Sequence, residues 1–146
     1  NSAQTPTFGK AAGLGDLEAL CEPAPLELGN RVWRDLDGDG IQDAGEPPIE
    51  GVTLQLRSGA AIVATTRTSS DGIYRFHRAN VPGGILQRHA YGIRVLLDGG
   101  PLVAASPTLK DRGANDQLDS DGALAGRFVD AALTTGAAGG ELVVLV

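Results

Sequence analysis

The chain has 146 residues, a net charge of −6, one Cys, no Met and 4% aromatic residues. Its 12 basic residues are scattered, which leaves no cationic face for nucleic acid. No apolar run approaches the ~18 residues of a membrane span, and a single cysteine excludes an intramolecular disulfide.

The 21 glycines and the short apolar runs suit a turn-rich β domain better than a helical bundle. Residues 1–26 are small, polar and proline-broken, and read as a linker or the end of a preceding domain. Within them only "GDLEAL" has the makings of local order, and Cys21 reads as a small buried hydrophobe or as a pairing point for another chain. Asn1 reads as a processed or engineered end, and the chain as a piece of something longer. From residue 27 to 146 the pattern is that of one domain. It opens on "LELGNRVW", an extended stretch weakened by Gly29.

The next stretch is "RDLDGDGIQDAGEPPIEG", Arg34 to Gly51. Asp35, Asp37, Asp39, Asp43 and Glu46 stand at positions 1, 3, 5, 9 and 12 of a loop, with Gly40 at position 6. That is the spacing of an EF-hand calcium loop. Short Asp side chains at alternate positions can fold around one centre. Ile41, at position 7, offers its backbone carbonyl, Asp43 ligates directly or through water, and Glu46 is long enough to reach back. Gly40 permits the sharp turn. Electrostatics argues the same way. Two unit charges 4 Å apart repel by about 1 kcal/mol in bulk water and about 4 at an effective dielectric of 20. Five carboxylates in one loop therefore open it unless a cation sits among them. Ca²⁺ fits better than Mg²⁺, which demands stricter octahedral geometry. His77 and His89 stand apart, and no Cys/His cluster supports zinc. Pro47-Pro48 does not readily continue into the helix that follows in an EF-hand. The loop therefore joins two strands, and binding stiffens where a helical sensor switches.

"GVTLQLRS" alternates cleanly, with Val52, Leu54 and Leu56 on one face. Ser58-Gly59 turns the chain into the β-branched "AIVATTRT". Ser70-Asp71-Gly72 turns it again into "IYRFH", with Tyr74 and Phe76 on one face. "YGIRVLL" sets Tyr91, Ile93, Val95 and Leu97 against Arg94 and Leu96. A second acidic stretch, "NDQLDSDG", carries Asp116, Asp119 and Asp121, which bind a second ion, complete the first shell, or form an Asx-rich surface turn. "GRFVDAAL" and "GGELVVLV" supply the last strands. About seven strands at hairpin spacing, without a long helix, make an all-β, antiparallel two-sheet sandwich with the calcium loop between strands.

The run "GNRVWRDLDGDGIQDAGEPPIEGVTLQL … TTRTSSDGIYRF … NDQLDSDG", within Leu28 to Leu133, resembles the B-like domains of the serine-aspartate repeat family of bacterial surface adhesins. More broadly it is similar to the prealbumin-like, collagen-adhesin B-type sandwiches. The resemblance implies an extracellular β-sandwich with calcium in the Asp-rich loop and a role as stalk or spacer. It carries calcium ligation to Asp35, Asp37, Asp39, Asp43 and Glu46, and also to Asp116, Asp119 and Asp121. The isopeptide crosslink of the wider superfamily needs a Lys at a strand start, which neither Lys10 nor Lys110 supplies.

The leading expectation is a non-enzymatic, calcium-stabilised spacer module of a secreted or cell-surface protein. Its partners are neighbouring domains or identical subunits, with a host or matrix ligand also open. The alternative is a subunit of an extracellular fibre, assembled by strand exchange through the N-terminal arm or "ELVVLV". Catalysis is disfavoured, because the acids stand at ligand spacing and no nucleophile motif appears. Trp33 reads as core, not as a sugar platform.

Overall fold

The computed structural model describes residues 26–115 and 118–135. Alternation of apolar and polar residues sets the strands: β1 (Leu28–Arg31), β2 (Thr53–Ser58), β3 (Ala61–Arg67), β4 (Ile73–Phe76), β5 (Ala90–Leu96), β6 (Ala123–Ala125) and β7 (Phe128–Thr134). They form two antiparallel sheets, β1-β4 and β3-β2-β5-β7-β6. This is the expected all-β sandwich. Six strands fall on expected segments. The seventh, β6, was not expected: its three residues are all exposed, so it has no apolar face to announce it. The expected final strand "GGELVVLV", the N-terminal arm to Pro25, Cys21 and Asp116 lie outside the described residues.

The register stacks apolar side chains in rows across the larger sheet. Leu54, Val95 and Val129 make one row; Leu56, Ile93 and Ala131 make the next; Tyr91 and Leu133 make a third. All of these are buried and belong to one core, with Leu28, Tyr74 and Phe76 of the smaller sheet and with Val32, Val52, Val81 and Leu102. The opposite face of the larger sheet mixes polar residues such as Gln55, Arg57, Arg94 and Asp130 with Leu96 and Phe128. There Arg94 makes a bidentate pair with Asp130, at 2.6 and 2.5 Å, and lies over the Phe128 ring.

Two junctions hold the β1–β2 connection against this core. Its neck is a short antiparallel ladder in which Ile49 N donates to Val32 O at 3.0 Å and Arg34 N to Pro47 O at 2.9 Å, with Trp33 facing Pro48. The prolines therefore close a β-ribbon where an EF-hand would have a helix. Trp33 is fully buried, as expected of a core residue. Val32 N also donates to Gly72 O at 2.8 Å. Gly72 has φ +72°, and a Cβ there would lie 2.3 Å from Val32 O, so only glycine fits this approach.

Leu54→Ala should lower unfolding free energy by about 2–5 kcal/mol, as for other buried Leu truncations. Leu124→Ala, on exposed β6, should stay within about 0.5 kcal/mol of the parent. Urea midpoints of the two variants check both values; equal effects would contradict this placement of the core.

Candidate metal centre

The acidic loop folds on itself through its own carboxylates. Asp35 Oδ1 accepts from Gly38 N at 2.7 Å and Oδ2 from Gly40 N at 2.9 Å. Asp37 Oδ1 accepts from Asp39 N at 3.3 Å, and Asp39 Oδ1 from Ile41 N at 2.8 Å. Each of these short acids captures the amide two residues on, or further, and the chain curls around them. One carboxylate oxygen from each of Asp35, Asp37 and Asp39 lies within 4.8 Å of the others. Gly40 makes the bend at φ +83°, pressed so close to Leu109 O that a Cβ would come within 2.3 Å of it.

Glu46 braces the loop from its root. It is 8% exposed, and its Oε1 accepts from Leu36 N at 2.8 Å while Oε2 accepts from Asp43 N at 3.0 Å. Asp43 itself is exposed and outside the three-carboxylate cluster. Ile41 is half-buried, with its side chain against Gly113.

The second acidic stretch comes back onto the first loop. Ile41 bridges Asp119 in an antiparallel pair, Gln42 N donates to Leu118 O at 2.7 Å, and Ser120 N donates to Gly40 O at 3.1 Å. Asp119 is 5% exposed, and its Oδ1 is sealed from solvent with no hydrogen-bond partner. Asp121 is half-buried, and its charge adds to burial in pushing the Tyr74 hydroxyl pKa up. The charges of Asp121 and Asp119 also reinforce Asp111 in raising Lys110.

Thr108 is the participant that sequence reading missed. Its hydroxyl donates to Asp35 Oδ2 from 73 residues away, and no motif marks it. Burial alone would raise the Asp35 carboxyl. The bonds from Thr108, Gly40 and Gly38 outweigh it and hold the group below the ordinary 3.8. Asp37, the outermost acid, moves the other way: desolvation and the charges of Asp39 and Asp35 push it above 3.8. Because the folded pKa of Asp35 is depressed, its stabilising effect is present above pH 3.8 and fades as pH falls through the folded value. In ion-free protein, Thr108→Val should therefore move the Asp35 pKa up toward 3.8, read from the carboxyl carbon shift across an NMR titration. A titration curve identical to the parent's would remove Thr108 from this role.

The model of the SdrD B-like domain matches residues 26–142. The chain is 45% identical over 75 residues, 49% of its length, to colossin-C of Dictyostelium discoideum, of which it covers 8%. It is 30% identical over 119 residues, 77% of its length, to colossin-B of the same organism, covering 3%. It is 33% identical over 96 residues, 65% of its length, to serine-aspartate repeat-containing protein D of Staphylococcus aureus (strain Newman), covering 6%. The chain spans less than a tenth of each of these relatives. With a match running from the start of β1 beyond the end of β7, the chain belongs to the SdrD B-like domain family.

Proposed function

We propose that this chain is a calcium-stiffened structural module of an extracellular or cell-surface protein, working as a spacer between neighbouring domains and not as an enzyme. The observation that carries the reading is the convergence of Asp35, Asp37 and Asp39 within 4.8 Å in a loop that is otherwise fully folded. Like charges at such separations repel by roughly 1–4 kcal/mol per pair. Hard, anionic oxygens in a flexible loop are the donor set that Ca²⁺ takes. Asp119 Oδ1 adds a second indication: a carboxylate oxygen without solvent or donor is costly to bury until a cation compensates it. Asp35, Asp37 and Asp39 would hold the ion, with the Ile41 carbonyl, Asp43 and Glu46 as further donors. Asp119 and Asp121, with Asp116, would complete this shell or hold a second ion.

The mechanical consequence follows from the neck. An ion in this loop fixes a segment whose two ends are laddered together between β1 and β2, and no helix pair is present there to rotate. Binding then lowers the freedom of the junction without changing the fold. Among the described residues no helix is long and apolar enough to cross a membrane. The fibre alternative draws no support from the edges of the larger sheet. Edge strand β3 carries a bulge that leaves Val63 without a partner between Ile62 and Ala64, and β6 has only three residues. Both features blunt an edge against strand addition.

A ligand at 100 times its Kd stabilises the folded state by about 2.7 kcal/mol, which is about 10 °C in Tm for a domain of this size. Calcium should give a shift of that order in the parent and none in Asp37→Ala or Asp39→Ala, with the far-UV spectrum unchanged. Glu46→Ala should instead lower Tm even in EGTA, because it removes the acceptor of the Leu36 and Asp43 amides, each bond contributing about 0.5–1.5 kcal/mol. A parent melt indifferent to calcium would overturn the proposal.

A further inference from the structure

The connection from β5 to β6 runs from Leu97 to Gly122, and from Leu109 to Asn115 it buries no side chain of its own, Ile41 of the acidic loop packing on Gly113. Leu102 and Ser120 are buried, yet every residue from Leu109 to Asn115 is exposed. What pins this stretch is the acidic loop. Thr108 donates to Asp35 Oδ2, and the Leu109 carbonyl packs on Gly40. Lys110 bridges Ser120, and Asp111 N donates to Ser120 O at 2.9 Å. Ser120 is in turn held by Gly40 O at 3.1 Å. Asp111 sits at φ +53°, a left-handed turn conformation that Asp tolerates better than most non-glycine residues. Exposed backbone with few buried contacts opens at low free energy, unless the surface it is pinned to is itself fixed.

We propose that the bound cation is also a latch on this crossover. With the acidic loop closed on calcium, Thr108–Arg112 is held against Asp35 and Gly40 and is withheld from proteases. With the cation gone the segment detaches, and Lys110 and Arg112 become cleavage points for trypsin-like enzymes. Cleavage adds one water across the Lys110–Asp111 or Arg112–Gly113 peptide bond, leaving a carboxylate on one fragment and an amine on the other. Arg112–Gly113 is the favoured bond, since the Lys110 ammonium is engaged by Asp111 at 2.7 Å. This inference rests on the calcium reading above and extends it to a protease-sensitive switch in a part of the chain remote in sequence.

The test combines calorimetric titration of calcium with trypsin digestion of the full chain. Fragments are assigned by mass spectrometry, and rates are normalised to a small chromogenic substrate. In EGTA the first cuts should fall after Arg112 and Lys110, before Arg57, Arg75 or Arg94 in the strands. Calcium at 100 times its Kd should slow the Arg112 cut on the order of a hundredfold. Thr108→Val keeps every acid. Because it loses a bond to Asp35, its own Kd is measured in the calorimeter and calcium is supplied at 100 times that value, where it should still be cut after Arg112. Absence of calcium binding overturns the parent reading and this one together. Binding with an unchanged rate at Arg112, first cuts inside the strands, or a Thr108→Val variant as resistant as the parent, overturns the latch alone.

Discussion

Mutual repulsion among the carboxylates of Asp35, Asp37 and Asp39 is the constraint around which this domain is arranged. The loop answers it in part from within, by turning the amides of Gly38, Gly40, Asp39 and Ile41 onto those same acids. Backbone amides are dipoles, however, and they leave the net charge in place. A divalent cation, as proposed above, would offset most of it and so favour the curled loop. The opposite pKa directions of Asp35 and Asp37 express the same division. The acid that gathers three donors is stabilised as an anion, and its exposed neighbour is not.

The sandwich gives that loop its mechanical leverage. The neck at Val32–Arg34 and Pro47–Ile49 is continuous with β1, reaches β2 through a turn at Glu50–Gly51, and contains Trp33, which is wholly buried. On the loop's far side Gly40 and Ile41 receive Leu118–Ser120, and Asp35 receives Thr108. One small site therefore touches the entry of the chain into the core and the crossover that returns it to β6 and β7. The matched stretch makes up only 8%, 3% and 6% of colossin-C, colossin-B and serine-aspartate repeat-containing protein D, so domains of this family stand within far longer proteins.

Much of this was legible in the sequence because periodicity and spacing are local. Leu54 and Leu56, Tyr74 and Phe76, and Ile93 and Val95 are buried as their alternation requires. The one-three-five spacing of Asp35, Asp37 and Asp39 did bring their oxygens together. Pro47-Pro48 correctly ruled out a following helix. What the sequence did not disclose depends on distant partners or on weak local signals. Thr108 is an ordinary residue until the fold sets it on Asp35. Glu46 also braces the root of the loop by accepting from the Leu36 and Asp43 amides, a role that its spacing does not announce. β6 is Ala-Leu-Ala, too short and too exposed to alternate, and exists only because β7 offers it a free edge.

The most direct test of the account is hydrogen exchange at single amides, with and without calcium. The account predicts that calcium slows exchange together at Gly38, Gly40 and Ile41 in the acidic loop and at Asp111 and Ser120 in the crossover, while the amides of β2, β5 and β7 change little. Exchange that is the same with and without calcium at the loop amides, or slowing in the loop with none at Asp111 and Ser120, would contradict it.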